Sequence, residues 1–435
     1  MLTQIIHGIF KRVEELKSEL ISLTSSLIRF QTVSPPSNTI ECAEFIKSYL
    51  EERGLEVKIY SREKEKANVH VSVPGGSNRT IIWLGHLDVV PEGRREEWTH
   101  NPFGGIVAGD RIYGRGTSDM KGSCAAAMIA ARILSELKYG DRATVDFWFT
   151  CNEEVGSKNG TRWLLETGLL RGDTCLIGDS LSKDPAKSPY IDVGCKGYLR
   201  LRLKAIGRVA HASMLFYSDN AIDKLVNAIM LVKRVEEYRF RIPSELEEAI
   251  ESSIQYLLLG KGLNEEQRRA MKMAYHHPTV SLTMINGGVN INVVPDYAEA
   301  LFDIRVTPGN SVEDLADYIR RSIDESGINR ASVDVISLED GYYEVWNSDF
   351  ARSLREAIRI ATNVEPRPKI LLGATDAIAV KRVLRVPCLG FGAGIEELAH
   401  APNEYVTTDG LLTTANIKSG EFSRKLTFFL SLCNV

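Results

Sequence analysis

The seven cysteines Cys42, Cys124, Cys151, Cys175, Cys195, Cys388 and Cys433 are scattered, and no two stand in a C-x-x-C spacing. An odd, dispersed set argues against a disulfide framework and predicts reduced, mostly buried thiols in a reducing compartment. No apolar run is long enough to span a bilayer. Residues 1–30 interleave lysines and glutamates with apolar positions, which predicts an amphipathic helix rather than a signal peptide. The expected address is therefore the cytoplasm, with no membrane partner. Basic excess is missing too: 53 Lys and Arg face 57 Asp and Glu, for a net charge of -4. Nothing there would hold a nucleic-acid backbone. Four catalytic signatures are also missing. There is no H-E-x-x-H, which argues against a mononuclear zincin. There is no G-x-G-x-x-G, since Gly390, Gly392 and Gly394 follow another spacing, and no phosphate-binding loop. Residues 178–182 are not a nucleophile elbow, because position 182 is Ser.

What is present is a long globular chain. At 435 residues, with 44% hydrophobic and 25% charged, two domains are expected. The first stretch alternates helices and unalternated strands. Helices are predicted over 41–52 and 123–137, and strands over 81–85 and 144–150. That rhythm predicts a mainly parallel sheet covered by helices. Near Gly197 the pattern changes. Leu199, Leu201, Leu203 and Ala205 alternate with polar residues, as do Val280, Leu282 and Met284, then Ala300, Phe302, Ile304 and Val306. Helical stripes run through Ile222, Leu225, Ile229 and Val232, and through Val312, Leu315, Ile319 and Ile323. A last strand covers 333–336. The order β-α-β-β-α-β predicts a ferredoxin-like α+β insert with an antiparallel sheet, and 243–277 is an extra, mostly helical segment within it. Helices over 349–362 and 374–384 and a strand over 386–391 then restore the first pattern. The predicted fold class is α/β: a catalytic domain in two parts, 1–196 and 338–435, interrupted by an inserted domain at 197–337.

Five short segments carry acids and histidines at the ends of strand-like runs. His86 and Asp88 follow the buried strand 81–85, and residues two apart share a face. They fall at the sheet's carboxyl edge, where open α/β sheets bind ligands. Asp119 lies in a glycine-bounded loop, 114–122, where it would also suit a helix N-cap. Glu153 and Glu154 follow the strand 144–150; adjacent side chains diverge, so one can bind metal while the other faces a reacting water. Asp179 follows Leu176-Ile177, and His400 sits among small residues in a late loop. Singly, each has an ordinary structural reading. Together, two histidines and three carboxylates match a dinuclear site of mixed nitrogen and oxygen ligands.

With these residues the chain resembles the acetylornithine deacetylase and succinyl-diaminopimelate desuccinylase group, within the zinc superfamily of aminoacylases, carboxypeptidases and dipeptidases. The similarity runs through GHLDVVP at 85–91, YGRGTSDMKG at 113–122, NEEVGS at 152–157 and VAHAS at 209–213. It continues through NVVPD at 292–296, DIR at 303–305, GATDA at 373–377 and AHAPNE at 399–404. The resemblance implies that His86 and Asp179 hold one metal ion, Glu154 and His400 another, and that Asp119 bridges them. It implies that Asp88 orients His86 and that Glu153 is the general base. His211 would reach a partner subunit's active site and steady the substrate carbonyl. Asn292, Arg305, Gly373 and Thr375 would grip a substrate carboxylate. The implied cofactors are two divalent ions, zinc first, with cobalt and manganese as alternatives. The implied assembly is a homodimer formed through the insert, and the implied substrate is a small N-acyl amino acid such as acetylornithine or succinyl-diaminopimelate. Aspartate at position 179 is more like the peptidase branches, so a dipeptidase, aminopeptidase or carboxypeptidase is the alternative. A non-catalytic metal-containing protein is a distant one, since all five ligands and Glu153 are in place. A cis peptide is expected between Asp119 and Met120.

Overall fold

In the strand Thr80–His86, Ile81, Ile82, Trp83 and Leu84 are all buried. No face of such a strand can meet water, so it must lie in the middle of a sheet covered on both sides. The computed structural model, which describes residues 2–136, 142–259 and 262–417, places it there. Thr80–His86 pairs in parallel with Thr144–Thr150 on one side and Thr174–Ile177 on the other. Cys388–Gly390 extends the parallel set. The flanks are antiparallel. On one side the hairpin Val57–Glu63 and Lys66–Val73 pairs with Thr144–Thr150. On the other, Tyr190–Cys195 joins Cys388–Gly390. The flanking hairpin was not expected from the sequence. Helices Ile40–Glu51 and Gly122–Glu136 pack on the sheet. The second is rich in small residues and almost wholly buried, with Ala125, Ala126, Ala127, Ala130 and Ala131 at 0% exposure. That lets it lie close against the strands.

The expected single N-terminal helix is two, Leu2–Glu15 and Lys17–Arg29, broken at Leu16. Ile9, Val13, Leu16, Leu20, Leu23 and Leu27, at helical spacing across the break, are all in the core. Six cysteines are free and buried; Cys433 and the predicted helix end at Leu137 lie outside the described residues.

The chain divides into two compact units. The first takes the residues up to Val193, Glu344–Pro368 and the described residues from Thr375 on; the second takes Gly194–Tyr343 and Lys369–Ala374. In the second, four antiparallel strands lie in the order Thr279–Gly287, Tyr297–Val306, Gly197–Ile206, Ala331–Glu339. Every second residue of the two central strands, from Leu199 to Ala205 and from Ala298 to Val306, is buried against helices Ala221–Lys233 and Val312–Asp324. Asn220 and Ser311 cap those helices by accepting the N–H groups of Ile222 and Asp314. The extra segment forms the helices Glu247–Leu258 and Glu265–Met273. It also captures the short stretch 369–374. The Tyr275 hydroxyl donates to the Ile370 carbonyl at 2.9 Å, and Ser253 Oγ accepts the Ile370 N–H at 2.8 Å. That second crossing was not visible in the sequence.

Candidate metal centre

Three parallel strands deliver the acids and one histidine at their carboxyl ends. His86 ends Thr80–His86, Glu153 and Glu154 follow Thr144–Thr150, and Asp179 follows Thr174–Ile177. Two loops complete the cluster. The loop 114–122 must turn sharply under the site. Gly116 there has φ +87°, and a Cβ would meet Val89 Cγ1 at 2.5 Å, so only glycine suits it. The peptide between Asp119 and Met120 is cis. The Met120 side chain passes beneath the strands, where its Sδ accepts the His86 N–H at 3.2 Å. Gly85 leaves that room, since a Cβ would lie 2.4 Å from Met120 Cε.

Asp119 stands between the two histidines. Its Oδ1 lies 3.0 Å from His86 Nε2, and its Oδ2 lies 3.1 Å from His400 Nε2. Glu154 Oε2 is 3.4 Å from His400 Nε2. Ligand atoms of His86, Asp119 and Asp179 form one group within 4.8 Å of one another, and those of Asp119, Glu154 and His400 form a second. Asp119 belongs to both.

The electrostatics of the cluster fit cations. Burial and the neighbouring Asp119 push the Asp179 carboxyl up to about 8. Burial pushes Glu153 well above the usual carboxylate range, and burial with Asp119 raises Glu154. Burial would raise Asp119 too, but hydrogen bonds from His400 and His86 hold it below the ordinary range. Hydrogen bonds with Asp119 and Glu154 lift His400 to about 10. Glu154 Oε1 is buried and finds no hydrogen-bond partner among the described residues. An orphaned carboxylate oxygen among other acids is a group that a cation would satisfy. The donor set, imidazole nitrogens and carboxylate oxygens without thiolates, suits zinc, cobalt or manganese.

Asp88 serves four partners. Its backbone carbonyl lies 2.9 Å from His86 Nδ1, while its carboxylate is 3.8 Å from that nitrogen. The carboxylate instead accepts the N–H groups of Glu153 at 3.0 Å and Glu154 at 3.2 Å, and the Ser34 hydroxyl at 2.5 Å. Ser34 carries no recognisable motif and was not anticipated. Neither were the roles of Arg115 and Glu404, although both lie inside quoted motifs.

The remaining candidates belong to other parts of the chain. His211 and Asn292 stand side by side in the second unit, on the small ribbon Ala210–His211 with Val293–Val294, where the Ala212 N–H donates to the Asn292 carbonyl at 2.9 Å. His211 is exposed and hydrogen-bonds Ser213 Oγ through Nδ1 at 2.7 Å. Arg305 is on Tyr297–Val306, near its far end, with its Nε donating to Asp303 at 2.6 Å. Eight residues of strand separate it from Tyr297, about 26 Å at the usual rise. Within one chain, Asn292 and Arg305 are therefore not brought together. Gly373 lies in the captured stretch of the second unit, and Thr375 begins the return to the first.

Comparison with known proteins shows the family. The model of peptidase family M20/M25/M40 matches residues 82–419. A probable succinyl-diaminopimelate desuccinylase of Staphylococcus aureus is 27% identical over 92% of this chain and 96% of its own. Among solved structures, an M20 family metallo-carboxypeptidase of Sulfolobus solfataricus superposes with a TM-score of 0.77 at 21% identity, covering 93% of this chain and 98% of that one. A dipeptidase of Saccharomyces cerevisiae superposes with a TM-score of 0.75 at 16% identity, covering 96% and 98%. The matched span takes in every residue of the two ligand groups, and the chain belongs to peptidase family M20/M25/M40, the metal-dependent hydrolases of amide bonds.

Proposed function

We propose that the chain is a two-metal deacylase that splits an N-acyl group from a small amino acid bearing a carboxylate. The observation that carries the two-metal reading is Asp119, with one oxygen toward each histidine. In this reading His86 and Asp179 hold one ion, Glu154 and His400 the other, and Asp119 both. When bound, such ions supply Lewis acidity, which lowers the pKa of a water and polarises a carbonyl. The chain's own groups do the rest. Glu153 takes a proton from the attacking water and returns it to the leaving amine nitrogen as the C–N bond breaks. Burial, which raises its carboxyl, suits it to carry that proton. Asp88 fixes the turn that bears Glu153 by holding its N–H.

The desuccinylase relative supports acyl transfer to water as the reaction. The dipeptidase and carboxypeptidase neighbours keep peptide hydrolysis as the second reading. The substrate carboxylate is assigned to Asn292, Arg305, Gly373 and Thr375, and the carbonyl oxygen to His211. Because Asn292, on the small ribbon before Tyr297, and Arg305, near the far end of the strand Tyr297–Val306, stand apart, joint use of both on one substrate calls for a second copy of the chain. The edge strand Thr279–Gly287 supports a homodimer: Met284 is 63% and Ile285 59% exposed, an apolar rim with an unpaired backbone edge. A cytoplasmic address is supported by the six free, buried cysteines. No described helix is long and apolar enough to cross a membrane, and no nucleic-acid partner is assigned.

The test is a hydrolysis panel on the zinc-loaded protein: N-acetylornithine, N-succinyl-diaminopimelate, other N-acyl amino acids and unblocked dipeptides. Preference for N-acylated substrates is the expected result. Preference for free dipeptides would move the chain to the peptidase reading.

A further inference from the structure

The ligand-bearing loops 114–122 and 399–404 are joined by a buried ion pair that none of the roles above uses. Glu404 is 0% and Arg115 2% exposed. Glu404 Oε2 accepts from Arg115 Nη1 at 2.6 Å and from the Gly116 N–H at 3.1 Å. Its Oε1 accepts the N–H groups of Ser118 at 2.8 Å and Asp119 at 3.1 Å. Four donors occupy the sites a carboxylate offers. Glu404 is thus an anchor for the Asp119 loop and has no lone pair left for an ion.

Arg115 makes the complementary grip on the other loop. Its Nη2 donates to the His400 carbonyl at 3.1 Å, and its Nη1 to the Ala401 carbonyl at 3.3 Å. His400 needs such a hold. Its φ is +63°, a region unfavourable for a side chain with a Cβ. Its side chain is 54% exposed, so packing does little to orient the ring. His86 differs: its side chain is 2% exposed, and its Nδ1 and N–H are engaged by Asp88 and Met120.

We propose that Arg115, held in place by Glu404, is a positioning residue for the ion of Glu154 and His400, and that loosening its grip on the His400 loop weakens that ion selectively while the ion of His86 and Asp179 stays. The inference rests on the two-metal reading. It differs from a merely structural role in predicting unequal effects on two ions of one protein.

The experiment is a Zn2+ titration of the metal-free full chain, followed by calorimetry against a competing chelator, for the wild type, Glu404→Gln, Arg115→Lys and a control, Glu344→Gln. Glu344 is another buried acid, accepting from Lys381 and from the Cys388 N–H. Wild type and control are expected to bind two ions alike. Arg115→Lys should keep one ion at near wild-type affinity and weaken the other by about 10–100-fold, the usual scale for supporting partners of a metal ligand, whereas Glu404→Gln, which also loosens the loop of the shared Asp119, should weaken both. Should Glu404→Gln fail to fold, the milder Arg115→Lys decides. Wild-type binding of both ions by Arg115→Lys, equal loss of both in that variant, or the same loss in the control would overturn the proposal. A wild type that binds fewer than two ions would overturn the two-metal reading and this proposal with it.

Discussion

Asp88 Oδ1 accepts the N–H of Glu153 at 3.0 Å. The base-bearing turn is thereby tied to the strand end that carries His86, through a carboxylate at 0% exposure. The contact of Asp88 to the imidazole runs through its backbone carbonyl, so the side chain's work lies with Glu153 and Glu154. Asp88→Asn presents an amide to two N–H donors and the Ser34 hydroxyl, and a mismatch at a buried site is costly. Turnover should fall by roughly 10²-fold, about 2.7 kcal/mol of barrier, with KM little changed. Steady-state kinetics beside metal analysis checks this; wild-type kcat in the substituted protein would free Asp88 of the role.

Ser34 extends the same network. Its hydroxyl donates to Asp88 at 2.5 Å and meets Ser37 Oγ at 2.5 Å, and Asn152 Nδ2 donates to Ser37 at 3.0 Å. Ser34→Ala should cost about 1–3 kcal/mol of stability and should lower kcat less than Asp88→Asn does. Thermal unfolding and kinetics on the one variant read both.

Glu153→Ala should keep full metal content while turnover drops by about 10²–10⁴-fold, the range for a general base. Equilibrium dialysis measures the first and initial rates the second. Unchanged rates would remove Glu153 as the base.

Lys196 predicts a pH dependence of stability that does not involve the metal centre. It is 0% exposed, and its ammonium donates to the Ala274 carbonyl. Burial, with Arg305 adding repulsion, pushes its pKa from 10.5 down to about 7. Between those values the unfolded chain carries the proton and the folded chain does not, so the unfolded state binds more protons. Stability should then rise with pH across that window, and the penalty of the buried charge is fully present below about 7. Lys196→Met should flatten the profile, as read by denaturant melts from pH 6 to 10 (~0.5-unit steps).

Much of the fold was readable because its periods are clean. Leu199 to Ala205 alternate, and their burial alternates with them; Ile81 to Leu84 do not, and all are buried. In the hairpin Val57–Glu63 and Lys66–Val73 the outer strand is mostly exposed, and Lys58 to Glu63 carry no apolar rhythm; only the inner strand, with Ala67, Val69, Val71 and Val73, alternates. The captured stretch 369–374 depends on hydrogen bonds from Tyr275 and Ser253, which no local pattern announces. In the site, His86, Glu153, Glu154 and Asp179 were recognisable by their places after strands, and Asp119 and His400, in loops, by the motifs around them. Their supports were not. Glu404 meets the N–H of Ser118 across 286 positions, and Ser34 meets Asp88 across 54. A carboxylate or hydroxyl that holds backbone N–H groups has no spacing rule to reveal it.

The most direct test of the two-ion site is a count of bound metal against activity. Metal-free protein is given zinc in steps, and hydrolysis of an N-acyl amino acid is measured at each step. Full activity should require two ions per chain, vanish with a chelator and return with zinc or cobalt. Full activity with one ion, or with none, would contradict it.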